Sequence, residues 1–207
     1  LEAKLHRCKR YLDVLTPESV VVDIGAHKGK FSRHILESYD CRVIAYEPCL
    51  WAIRDYLSQL HHPNFEFHQK AVGSKKRKSV MFYEVAAPEK FRGEGNTTVP
   101  TSREVIDSYS VSQVSLQSIL LSLPRVDLLK LNCEGAEIDI ILSTPPAVLQ
   151  VCKQIFIAFH KHRASDLSIE AMSTRIKACR RRLENLGYAS RIVHKKHPDI
   201  LFYRGIS

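Results

Sequence analysis

Apolar residues recur along this chain in two alternating periods. Leu5, Cys8, Leu12 and Leu15 fall three or four positions apart and predict an N-terminal helix over about residues 2 to 15. SVVVDIG, ending at Gly25, is a short β-branched run halted by glycine, the pattern of a buried strand. Phe31, Ile35 and Tyr39 predict the next helix, RVIAYE (42–47) a second strand, and Leu50 to Leu60 another helix. FEFHQKAV (65–72) and SVMFYEV (79–85) flank the basic turn GSKKRK and predict a hairpin-like connection. VDLLKLN (126–132) and QIFIAFH (154–160) are almost continuously apolar, as strands covered on both faces of a parallel sheet are. A long helix from about Asp166 to Leu186 is predicted to stop at Gly187, and YASRIVHK with DILFYR predicts an antiparallel pair. The alternation implies an α/β fold, a doubly wound and mostly parallel sheet with an antiparallel C-terminal edge pair.

Residues 86 to 112 break this rhythm. They are polar, carry Pro88, Gly93, Gly95 and Pro100, and keep no sustained period, which predicts a lid loop over the carboxyl edge of the sheet. Asn96-Thr97-Thr98 matches a glycosylation sequon and is read as a chance match. With 207 residues, the chain fits a single domain spanning 1–207, because one core suffices below roughly 250 residues. Six scattered cysteines without a CxxC pair predict a reducing compartment and a cytoplasmic location. No apolar run reaches the roughly 20 residues that span a bilayer, so no membrane partner is expected. Of the net charge of +9, residues 151 to 207 hold twelve Lys or Arg against four acids. That basic third attracts phosphates or acidic substrates on one reading. On the other it is a solvated helix face, since Arg175 and Arg182 alternate with Ile176, Cys179 and Leu183 at helical spacing.

The first chemical motif is VVDIGAHKGKF (21–31). Asp23 ends a strand, and Gly25 and Gly29 let the backbone approach a ligand beside a helix N-terminus. The spacing is DxGxxxG, without the third glycine of a dinucleotide site. An acid before the turn suits a cationic ligand such as S-adenosyl-L-methionine, with its ammonium and sulfonium. Glu47 in AYEP follows Gly25 by 22 positions, close to the roughly 20 expected of a carboxylate that accepts both ribose hydroxyls.

VVDIGAHKGKFS, VIAYEP, KAVGS and LLKLNCEGAEIDI together resemble the FkbM-type methyltransferases, a branch of the class I S-adenosylmethionine-dependent enzymes. The resemblance covers about residues 20 to 143 and implies the seven-stranded class I methyltransferase fold. It implies that Asp23, Gly25, Ala26, His27 and Gly29 line the methionine end of the cofactor. Glu47, with Pro48 beside it, would hold the ribose, Ala71 and Val72 would lie near the adenine, and S-adenosyl-L-homocysteine would be the product. The family is associated with methylating hydroxyls on sugars and other metabolites, so a small-molecule or carbohydrate acceptor is expected.

The chain departs from the family at Asn132, where an Asp is usual, and at Ala158 and Gln117, where acids are common. Asn132 cannot take a proton, although it can orient a hydroxyl or the cofactor's amine. A different base is then required: His160, at the end of the neighbouring strand, or Glu134. The bland readings are a solvated histidine and a helix-capping acid. Cys133 reads as a packed thiol. His160 and His162 have no second ligand pair, and no structural metal is predicted. An RNA methyltransferase using the basic third, or a cofactor-binding homologue with weakened catalysis, are the alternatives.

Overall fold

β-branched and aliphatic runs build the centre of the molecule, which a computed structural model describes at residues 12–88, 92–93, 95–160, 168–194 and 199–205. Seven strands, β1 (Val20–Ile24), β2 (Arg42–Tyr46), β3 (Phe65–His68), β7 (Val126–Leu131), β8 (Cys152–Ala158), β9 (Ala189–His194) and β10 (Asp199–Tyr203), form one sheet. Their order is β3-β2-β1-β7-β8-β10-β9, with β10 antiparallel to both of its neighbours. The chain winds outward from β1 to β3 and then returns to β1's other side with β7. The crevice opens at that reversal, beyond the carboxyl ends of β1 and β7.

Every residue of β7 is buried, and alternate residues of the central strands feed two cores. Val22, Ile24, Leu129, Leu131, Ile155 and Ile157 face one, where α4 (Glu137–Ser143) and α6 (Ile169–Asn185) pack. Val21, Val43 and Leu128 face the other, against α1 (Lys30–Tyr39). The predicted N-terminal helix lies almost wholly outside the described residues, but Leu12 and Leu15 are buried in this second core. Helix α6 is capped by Ser168, whose hydroxyl accepts from the Ala171 N–H, and Gly187 follows its end as predicted. No helix among the described residues is long and apolar enough to cross a membrane.

The middle of the chain differs from its prediction. A second sheet has the order β4-β6-β5, with β4 (Ala71–Gly73), β5 (Arg77–Val85) and β6 (Val105–Ser115). GSKKRK therefore does not join paired strands: β4 lies parallel to β6 and β5 antiparallel to it. The expected lid loop is shorter for the same reason, because residues 105–112 belong to β6. Ser108, Ser110 and Ser112 alternate with Tyr109, Val111 and Gln113, a period of two in which only every second residue turns inward. Between the three-stranded sheet and α2 (Leu50–Asp55), a small core gathers Cys49, Trp51, Phe82 and Val111.

Candidate active site and cofactor pocket

Register brings the first site residues together. Asp23 on β1 lies opposite Lys130 on β7, and both side chains are buried. Lys130 Nζ donates to Asp23 Oδ1 and to the Gly25 carbonyl, each at 2.7 Å, while Ser32 Oγ donates to Asp23 Oδ2 at 2.7 Å. Asp23 thus has its charge matched from within the chain and does not line the cavity beyond the strand ends. It braces the glycine turn through Lys130, whereas the sequence pointed it at a cationic ligand. Gly25 is required by the same turn. Its φ is +76°, and a Cβ there would stand 2.0 Å from the Asn132 carbonyl oxygen. Gly25 and Ala26 donate to the Tyr46 carbonyl, which closes the turn over the end of β2.

Glu47 follows β2 and is buried to 6% exposure. Its Oε2 accepts from the His27 N–H at 2.7 Å and its Oε1 from the Cys49 N–H at 2.9 Å. Burial pushes its carboxyl up to about 7 despite these bonds. His27 sits in the left-handed region at φ 51°, its ring edge-on to Trp51 at 5.4 Å and its Nε2 3.1 Å from the Arg92 carbonyl. A carbonyl only accepts, so Nε2 carries the proton; burial holds the ring neutral by pushing its pKa down to about 4.

The far end of the cavity is built by the segment after β7. Glu137, the first residue of α4 and 1% exposed, accepts from the Cys133 N–H at 2.8 Å and the Gly135 N–H at 3.1 Å. Its Oε1 also lies 2.8 Å from His160 Nδ1, and His160 Nε2 lies 3.3 Å from Glu134 Oε2. Glu134 has a φ of 54°, and its carbonyl accepts from Thr97 Oγ1 at 2.9 Å. Burial raises the Cys133 thiol well above its usual range, which suits packing and not nucleophilic attack.

One cavity of about 440 Å³ joins these groups. Of the residues expected from the sequence, Gly25, Ala26, His27, Glu47, Pro48, Ala71, Val72, Asn132, Glu134 and His160 line it. Asp23 does not, and neither does Gly29, which caps α1 with its Cα turned to Leu57. Several lining residues were missed. Lys130 had a visible signal, a lone charge in the otherwise apolar strand after Asp127. Asp199, 1% exposed, had none, since it reaches the site only because β10 inserts beside β8 and pairs it with Ala158. Asn96, dismissed as a chance sequon, is buried, and its Oδ1 accepts from the Val85 N–H at 3.1 Å.

Comparison with known proteins agrees with this arrangement. Residues 23–189 match the family model of the methyltransferase FkbM domain. A curated relative, the AMB antimetabolite synthetase AmbE of Pseudomonas aeruginosa, is 26% identical over 72% of this chain. The chain spans only 9% of that protein's length. Among solved structures, precorrin-6y C5,15-methyltransferase from Geobacter metallireducens superposes with a TM-score of 0.51 at 15% identity, over 99% of this chain and 88% of that one. Aeropyrum pernix fibrillarin, solved with bound S-adenosyl-L-methionine, gives 0.52 at 14% identity, over 97% of this chain and 72% of that one. At such identities the two structures speak for the fold alone. The family match covers most of the chain, and the chain belongs to the FkbM family of S-adenosylmethionine-dependent methyltransferases.

Proposed function

We propose that this domain methylates a hydroxyl of a sugar or other small polyol, with Glu134 and His160 together receiving the hydroxyl's proton. The observation that carries this reading is that Asn132, Glu134 and His160 share one cavity with Glu47. The cavity residues fit S-adenosyl-L-methionine: Glu47 offers a buried acceptor for ribose hydroxyls at the tip of β2, and Ala71 and Val72 an apolar wall for a base. When bound, the cofactor supplies an electrophilic methyl on its sulfonium.

Asn132 holds the hydroxyl in line through its amide, since it can both donate and accept. With the cofactor bound, the acceptor oxygen would take the methyl as the carbon–sulfur bond broke with its electron pair left on sulfur, and the hydroxyl's proton would pass to Glu134 and His160. Both ring nitrogens of His160 face carboxylates, which only accept when ionised. His160 Nε2 and Glu134 Oε2 lie 3.3 Å apart at the cavity wall, and the two take up the hydroxyl's proton as a unit. Asp199 and Thr98, which line the same cavity, add acceptors for further hydroxyls, the lining that a polyol needs.

The test is transfer from labelled S-adenosyl-L-methionine to a panel of sugars, polyols and hydroxy acids, read by mass. Glu134→Gln and His160→Asn should each lower turnover by on the order of 10²-fold while S-adenosyl-L-homocysteine still binds. No calorimetric binding of that product by the intact domain would defeat the reading.

A further inference from the structure

The acid at position 137 lies on none of the surfaces expected to meet a ligand, yet three donors converge on it. Glu137 takes the N–H groups of Cys133 and Gly135 and the Nδ1 of His160 on one carboxylate that is 1% exposed. The first turn of α4, with its positive helix end, suits that charge. A capping acid has reason to collect the two N–H groups but none to collect a ring 23 residues away on the end of another strand. The two backbone bonds also fix the left-handed Glu134 and the Gly135 turn that carry the Glu134 carboxylate toward Nε2.

We propose that Glu137 is the positioning residue of this site: it holds His160 with a proton on Nδ1 and Nε2 toward the cavity, and it shapes the loop that brings Glu134 to that nitrogen. One buried group thereby sets both halves of the proton-accepting pair. Among the described residues, Glu134 on the loop after β7, Asp199 on β10, Cys133 and Lys130 on β7 are titratable groups that line the same cavity as His160. Glu137 meets Nδ1 at 2.8 Å. An orienting carboxylate behind a histidine fixes its tautomer and aims its second nitrogen, the logic of acid–histidine pairs on unrelated folds.

This inference rests on the hydroxyl-transfer reading for its kinetic consequence but not for its structural one, and the experiment separates them. In ¹⁵N-histidine-labelled protein, the His160 signal, assigned by its loss in His160→Asn, should show a protonated Nδ1, and Glu137→Gln should redistribute the ring toward the Nε2–H form. With an identified acceptor, Glu137→Gln should lower kcat on the order of 10²-fold, with KM and S-adenosyl-L-homocysteine affinity within about threefold of the parent. A bare Nδ1 in the unsubstituted protein overturns the proposal without any variant. So does a Glu137→Gln protein in which kcat and product affinity fall by the same factor, because that is the signature of a loop brace alone. A normal ¹⁵N pattern in a protein that methylates no hydroxyl would refute the reading of the reaction and leave the positioning intact.

Discussion

Glu47 shows how a single residue trades stability for binding. Desolvation is the largest cause of its raised carboxyl, and the His27 and Cys49 N–H groups and the Lys130 charge oppose it. A folded-state pKa of about 7 stands above the unfolded value, so the folded chain binds the extra proton between the two. Stability contributed by that proton is present below about pH 4.5 and is lost as pH rises toward 7, by at most about 3 kcal/mol. Without ligand, Glu47→Gln should therefore melt higher than the parent at about pH 8 and gain nothing near pH 4. Ribose hydroxyls donate to the ionised carboxylate, so S-adenosyl-L-homocysteine affinity should climb through about pH 6 to 7 and level off above, with proton release on binding. The variant should bind more weakly and without that climb. Calorimetry in two buffers of different ionisation enthalpy checks it, and a parent affinity flat across this range would refute the ribose role.

At the scale of elements, the loop between β5 and β6 is fastened over the pocket by contacts at both ends. Tyr83 and Thr97 form an antiparallel bridge, Asn96 bonds to Val85, and Arg92 lies over the Trp51 ring at 4.8 Å. Gly93 makes the close approach possible. Its φ is +83°, and a Cβ there would stand 2.4 Å from both His27 Nε2 and Trp51 Cζ2. Gly93→Ala should lift this segment from the His27–Trp51 platform, because the left-handed backbone alone costs about 1–2 kcal/mol. We expect roughly tenfold weaker product binding and new proteolytic cleavage within residues 86–104. Unchanged affinity and cleavage would show that the loop contributes nothing to the pocket.

The same elements show what could be read from the sequence. β1, β2, β7 and β8 were legible because burial on both faces leaves a mostly apolar run, and Glu47 because a fixed βαβ unit sets its spacing from Gly25. β6 was hidden by serines on its outward positions. Asp23 was visible beside the glycine turn but its bond to Lys130 was not, since the register that sets Lys130 beside it is a long-range fact. Glu137 was not singled out in the sequence, because only the pairing of β8 with β7 brings His160 to it.

Taken as a whole molecule, the fold gathers its polar chemistry at one edge of the sheet and leaves its excess positive charge on another element. Much of that charge is already engaged. Arg175 pairs with Asp139, Arg180 with Glu184 at 2.7 Å, and Lys153 with Asp127 at 2.8 Å, while Arg182 donates to the Thr144 carbonyl at 2.7 Å. The Arg180 pair lies along α6 itself, and the others tie α6 and β8 to their neighbours, as the solvated-face reading of the basic third expects. On α6, Lys177 and Arg181 have no ion pair among the described residues, and KHR (161–163) lies outside them. The face of α6 thus offers few cations to phosphates, and the salt dependence of nucleic-acid binding counts them at roughly −0.7 per contact on a single strand. Binding of a single-stranded RNA through this helix face should thus be weak, with a log–log salt slope no steeper than about −3, and should vanish near physiological salt. Lys177→Gln with Arg181→Gln should flatten the slope further while leaving transfer to the small acceptor unchanged. A slope near −6 or steeper, together with methyl transfer to RNA lost in the same double variant, would move the acceptor from the polyol class to nucleic acid.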